Sequence, residues 1–263
     1  SAAGNPVTIS HDVTVDLTAV AISIDTIAAD DVINAAEKGA DLVLSGSTSN
    51  VEENQTVTVT FGGKSYTATV DADGNWAATV PSADLAGLKD GDASVQVSVT
   101  NAHGNSASAG REYSVDATAP GVTIDTVAGD NVINGSEASA GVTVSGTTTA
   151  EAGQTVTVTL GGNSYTAQVQ PDGTWSVNVP SADLSALADN GYTVQVSVSD
   201  TAGNPGSANK AITLDTTPPT VSFNVVAGDD VINSVEHAQA QIVSGTSTGA
   251  NVGDKVVITL GSN

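Results

Sequence analysis

Ile124-Asp125-Thr126-Val127-Ala128-Gly129-Asp130-Asn131-Val132-Ile133-Asn134 repeats, with few changes, Ile24-Asp25-Thr26-Ile27-Ala28-Ala29-Asp30-Asp31-Val32-Ile33-Asn34. It returns once more as Phe223-Asn224-Val225-Val226-Ala227-Gly228-Asp229-Asp230-Val231-Ile232-Asn233. Other landmarks keep the same step: Trp76 recurs as Trp175, Pro81 as Pro180, Asp116 as Asp215 and Pro120 as Pro219. A period this long is one whole domain and not a turn of a solenoid. On this register, residues 1–18 are the last strand of a preceding repeat, and residues 19–118 and 119–217 are two complete repeats. Residues 218–263 are the N-terminal part of a third.

Inside a repeat the apolar residues alternate. Gln154-Thr155-Val156-Thr157-Val158-Thr159-Leu160 has the period of a half-buried strand. Gly161-Gly162-Asn163 then supplies the positive φ values of a hairpin turn. The run from Tyr165 to Val169 alternates again, Pro171-Asp172-Gly173 turns, and Trp175, Val177 and Val179 share a face. Val194, Val196 and Val198 repeat the pattern, and Ile212 with Leu214 close the domain. With Val122–Ile124 and Val142–Val144 this makes seven short strands, which predicts an all-β chain of tandem immunoglobulin-like, seven-stranded antiparallel β-sandwiches in an elongated array. The segment 181–187 is the one helix-like stretch, with Ser181 expected as its cap.

Composition narrows the function. Among 263 residues there are 29 acidic and 6 basic side chains, for a net charge of −23. Such a chain repels nucleic acid and anionic lipid, both of which need Lys and Arg to neutralise phosphate. Aromatics make up 3%, so the cores are expected to be aliphatic. Cysteine is absent, which leaves bound metal as the usual staple for a small extracellular β-domain. No apolar run approaches the roughly 18 residues that span a bilayer. No leader opens the sequence either, so secretion is expected to be encoded elsewhere in a longer protein.

Strand order places the loops. Asp30, Asp31, Asn34 and Glu37 lie at the lower end of the first repeat, Asp116 lies in the linker, and Asp172, Asp200 and Asn204 lie at the upper end of the second. These groups are expected to converge at one junction. Asp130, Asn131, Asn134, Glu137 and Asp215 form the next such set, continued by Asp229 and Asp230. Ca²⁺ takes about 6–8 oxygens from carboxylates, amides and carbonyls, which these loops supply. Calcium at each junction is therefore the expected cofactor. The other reading is that of ordinary turn residues, in which Asn34 or Asp130 only caps a turn through side chain-to-backbone bonds.

The Asp-x-Thr-x-Pro linkers at Asp116–Pro120 and Asp215–Pro219, the loop Gly129–Asn134, the strand start Gly173–Trp175 and the loop Asp200–Asn204 resemble the bacterial Ig-like repeats of giant type I-secreted adhesins and biofilm-associated proteins. The resemblance implies a stalk that holds an adhesive tip away from the cell, with calcium between domains. It implicates Asp116 and Asp215, the first-loop residues Asp30, Asp31, Asp130, Asp229 and Asp230, and Asp200 with Asn204. The first repeat departs from this pattern with Asn101-Ala102-His103-Gly104-Asn105, one charge fewer.

The resulting expectation is a secreted or cell-surface, monomeric stalk and not an enzyme. Its contacts are neighbouring repeats, and a host surface or biofilm matrix is reached through other regions of the parent protein. The alternative is a repeat that itself binds glycan or matrix polymer through Trp76 or Trp175, although both indoles fall on core faces. His11, His103 and His237 lack partner spacing, and no Gly-x-Ser-x-Gly elbow appears. Tyr192 starts a strand where sandwich domains place a tyrosine corner.

Overall fold

A computed structural model describes residues 2–250, 252–259 and 261. The chain divides into two compact units, Ser1–Pro120 with the loop Ser199–Gly206, and Gly121–Val198 with Ser207–Asn263. Each contains one β-sandwich.

The first sandwich comprises β1 (Ala21–Ile22), β2 (Val32–Ile33), α1 (Ala35–Lys38), β3 (Leu42–Ser49), β4 (Thr56–Phe61), β5 (Lys64–Thr69), β6 (Asn75–Val80), α2 (Ser82–Leu85), β7 (Gly91–Thr100) and β8 (Ser106–Val115). One sheet has the order β1-β3-β6 and the other β2-β8-β7-β4-β5. The second sandwich repeats this with β9 (Val132–Asn134), α3 (Gly135–Ala140), β10 (Val142–Thr147), β11 (Thr155–Leu160), β12 (Asn163–Gln168), β13 (Thr174–Val179), α4 (Ser181–Ser185), β14 (Asn190–Ser199) and β15 (Pro205–Asp215). Its sheets are β10-β13, extended by a bridge between Val122 and Thr148, and β12-β11-β14-β15-β9. Beyond it, β16 (Thr220–Phe223) pairs with β17 (Gly245–Thr248).

Alternation decides which side chains face inward. In β4 and β11 every valine is buried while the outward threonines stay at or near the surface. Each fully buried Val, Leu or Phe contributes about 1.5–3 kcal/mol relative to exposure. Trp76 and Trp175 lie within the two cores at 2% and 1% exposure, as their strand faces require. The hairpin glycines Gly161 and Gly162 have φ values of 60° and 88°, the mirror-image turn that suits a right-twisted two-residue connection. Tyr192 donates its hydroxyl to the Ala188 carbonyl at 2.9 Å, the back-bond of a tyrosine corner.

Two features differ from the sequence reading. The acidic first loop is not irregular throughout: β2 and β9 emerge from it and pair in parallel with β8 and β15, the last strand of each domain. Ser181 does not cap α4; Pro180 occupies the cap position without a side-chain bond, because its fixed φ of −66° already directs the chain into the turn.

One contact recurs in all three copies. A Cβ on Gly46 would lie 2.0 Å from the Ser23 carbonyl oxygen, one on Gly146 would lie 2.0 Å from that of Thr123, and one on Gly245 would lie 2.2 Å from that of Ser222. The sheet edge closes on the first strand only where no side chain intervenes. In the two complete repeats the preceding serine adds a bond, Ser45 Oγ to Asp25 and Ser145 Oγ to Asp125, each at 2.7 Å.

Candidate metal centre

The first loops are built by their own acidic and amide side chains. Asp30, Asp130 and Asp229 each accept through Oδ1 from the backbone N–H two residues on, at 3.0, 2.8 and 3.0 Å. Asp31, Asn131 and Asp230 each accept from the N–H four residues back, at 3.0, 3.0 and 2.9 Å. These three residues sit at φ of 65°, 66° and 61°, the left-handed region that Asp and Asn tolerate better than most side chains. Next, Asn34 and Asn134 cap α1 and α3. Each accepts from two helix-start N–H groups, while Glu37 and Glu137 reach back to the cap N–H at 3.0 and 2.9 Å. Each such capping box satisfies donors that a helix end otherwise leaves open.

Asp31 has a second partner that the sequence reading missed. Arg111 donates from Nε to Oδ1 and from an Nη to Oδ2, both at 2.6 Å, and also reaches the Ile24 carbonyl at 3.2 Å and Thr26 Oγ1 at 3.1 Å. These Arg111 bonds, then the Ile27 N–H, hold the Asp31 carboxyl down to about 2. The available signal was composition: Arg111 is one of 6 basic residues in a strongly acidic chain.

Three of the expected residues do come together, all within the first unit. Asn204, 1% exposed, is the hub. Its Oδ1 accepts from Ala35 N at 2.8 Å, an N–H of the first turn of α1. Its Nδ2 donates to the Asp116 carbonyl at 2.8 Å and to Asp200 Oδ2 at 3.0 Å. Asp200, 8% exposed, also accepts from Asn204 N at 2.8 Å. Asp116 accepts from Thr118 N at 3.2 Å. Gly203 passes close to Asn34, whose Nδ2 would lie 3.7 Å from a Cβ there.

The remaining groups bond elsewhere. Asp172 accepts from Thr174 N at 3.1 Å and Thr174 Oγ1 at 2.7 Å, which lowers its carboxyl. Asp215 accepts from Thr217 N at 3.3 Å. The corresponding cluster ahead of the first repeat is looser. There Asn105 Nδ2 meets the Asp16 carbonyl at 3.2 Å and its carboxylate at 3.4 Å, and the neutral Asn101 stands where Asp200 does.

The Asp116–Asp200–Asn204 cluster contains one carboxylate, that of Asp200, withdrawn from solvent. Among the described residues, the ion pairs are Lys64–Asp84, His103–Glu52 and Arg111–Asp31, so the buried Asp200 carboxylate has no cationic side chain in contact. A carboxylate withdrawn from water in this way favours a bound cation. No group of three or more His, Cys, Asp or Glu side chains placed to hold a metal occurs among the described residues. The Asn204 amide therefore joins one buried carboxylate, that of Asp200, to the backbone carbonyl of Asp116, while the Asp116 carboxylate turns back to Thr118 N. Asp200 and the Asp116 carbonyl are oxygen donors of the hard kind that calcium takes, and water would have to complete any such shell.

Residues 125–216 match the sequence model of the bacterial Ig-like domain. Among solved structures, the chain is similar to a Ca²⁺-stabilized adhesin that helps an Antarctic bacterium reach out and bind ice, at 38% identity and a TM-score of 0.52. That match covers 89% of this chain and 59% of the other, so the chain spans about three fifths of that relative's length. It is also similar to a 1.5-MDa bacterial ice-binding adhesin studied for host cell surface retention. There the identity is 35%, the TM-score 0.50 and the coverage 89% and 78%. No curated protein matches.

Proposed function

We propose, on the premise that this chain belongs to the bacterial Ig-like domain family, that it is a stretch of the extender stalk of a large secreted or cell-surface bacterial adhesin. Residues 1–18 and 218–263 are, in this reading, parts of flanking repeats. Host or matrix contacts are made by other regions of the parent protein, exported by type I secretion. One observation carries the reading: the same sandwich is built twice from the same inward positions, glycine contact and capping boxes, with Trp76 and Trp175 both spent on cores. A repeat that bound glycan through Trp76 or Trp175 would need that indole at its surface, and both are buried.

Calcium is part of the proposal. Asp200 and Asp116 would hold it, while Asn204 keeps the linker carbonyl and α1 in place. Asp215 occupies the place of Asp116 further along, and Asp130, Asp229 and Asp230 those of Asp30 and Asp31; all belong to the same proposal, with Asp30, Asp31, Asn34, Glu37, Asn131, Asn134, Glu137 and Asp172 as surrounding donors. When bound, the ion neutralises carboxylates that otherwise repel one another. Extracellular modules bind Ca²⁺ at about 10⁻⁴–10⁻³ M, so the effect is expected in that range.

The test is thermal unfolding in EDTA and in millimolar calcium, with Asp200→Asn as control. A calcium-dependent rise in Tm that Asp200→Asn abolishes is expected. The same Tm in both buffers would remove calcium from the account and leave an extender held by hydrogen bonds. Specific retention on a glycan array would remove the stalk reading itself.

A further inference from the structure

The chain contains two Asn-Gly pairs, Asn134-Gly135 and Asn190-Gly191, both in the second unit. In Asn-Gly the backbone nitrogen readily reaches the preceding side-chain amide, because glycine has no Cβ in the way and turns freely. The structure holds the two pairs differently. Asn134 Oδ1 accepts from Ser136 N at 2.9 Å and Glu137 N at 3.1 Å, which aims it past Gly135 into the helix start. Gly135 is walled in as well: a Cβ there would lie 3.3 Å from the Thr216 carbonyl oxygen.

Asn190 and Gly191 are exposed and open β14. The Gly191 N–H donates to Asn190 Oδ1 at 2.8 Å. The nitrogen thus sits beside the carbonyl whose carbon it would attack, in contact with solvent base. The bond keeps the nitrogen close to the side-chain amide, so that little chain movement is needed for ring closure once the proton is lost. The first repeat has Gly91-Asp92 at the same place, so the feature belongs to the second repeat and not to the fold.

We propose that Asn190 is a site of spontaneous deamidation. Gly191 N loses its proton to solvent base and attacks Asn190 Cγ. A C–N bond forms, the Cγ–Nδ2 bond breaks, and Nδ2 leaves as ammonia after taking up a proton. Water then adds to either carbonyl of the cyclic imide and opens it, giving aspartate or isoaspartate. No atom is oxidised or reduced. Its consequence falls on the adjacent Asp189, which accepts from Thr216 N at 2.9 Å, Thr216 Oγ1 at 2.7 Å and Thr217 Oγ1 at 2.6 Å. Isoaspartate inserts an extra main-chain carbon between Asp189 and the rest of β14 and places a new carboxylate beside it. The hold of Asp189 on residues 216–217 is loosened as the protein ages.

The test incubates the full chain, folded and in denaturant, at mildly alkaline pH, with peptide mapping and an isoaspartate assay. In denaturant both pairs are expected to lose their amides at similar rates. In the folded chain the Asn190 peptide loses its amide and gains isoaspartate, while the Asn134 peptide keeps its amide. Folded chains that convert Asn134 as fast as Asn190, or that keep both amides, overturn the proposal. Gly191→Ala fits the site, where the nearest atom to a Cβ is the Ile212 oxygen at 4.0 Å. It is expected to slow the loss, and an unchanged rate would also count against the proposal.

Discussion

In the first repeat Arg111 grips both oxygens of Asp31; in the second, Lys210 and Asn131 stand at those positions. The loop backbone is the same in both, with φ of 65° at Asp31 and 66° at Asn131 and the same bond to the N–H four residues back. The cores show a similar exchange. Phe61 and Tyr113 stack at 4.9 Å in the first sandwich, where Leu160 and Ile212 fill the same places in the second. What is invariant is therefore a backbone requirement: an Asx acceptor in a left-handed conformation, and an apolar volume behind it. Charge and aromaticity are free to vary once that requirement is met.

The sharpest way to break this equivalence is at the shared glycine. Gly46→Ala and Gly146→Ala each force a methyl group onto a backbone oxygen, which cannot rotate away. A loss of about 3 kcal/mol or more is expected for each, read by urea unfolding. If one repeat accepts the methyl group, the two sandwiches do not close in the same way.

The loop clusters come next. Asn204→Ala strands a buried Asp200 oxygen and the Ala35 N–H, for an expected cost of about 2 kcal/mol. Asn105→Ala removes only bonds of 3.2 and 3.4 Å to Asp16 and is expected to cost less than half as much in the same melts. Equal losses would show that the added charge at Asp200 makes no difference to the cluster.

The smallest effect is a pH dependence of the first loop, which the first repeat has through Asp31 and the second lacks because Asn131 stands there. Asp31 has its carboxyl lowered from 3.8 to about 2, so its contribution is fully present above 3.8 and is lost as pH falls through about 2. The Tm gap between the native chain and Asp31→Asn is expected to close over that interval. A gap that persists below it would mean that Arg111 is not what the carboxylate answers to.

Much of this was legible in the sequence, because strands of six to ten residues display their period and hairpin glycines mark their turns. The parallel pairs were not, since β2 has 2 residues and β9 has 3, too few to show any period. Arg111 was missed because its partner lies 80 residues away, beyond any local pattern. Asn204 was named from its loop motif, yet residue type could not reveal that its amide nitrogen points at the linker carbonyl and its oxygen at α1. Ser181 was misassigned because a proline one position earlier sets the direction of the chain.

The parallel ladders have a mechanical meaning. β9 lies near the start of its domain and β15 at its end, aligned side by side as Thr213 with Val132, Leu214 with Ile133 and Asp215 with Asn134. Tension applied through the two ends of the domain slides these strands along each other, so their bonds bear the load together and are not peeled one at a time. A pull along the chain would thus load each module in shear across these ladders.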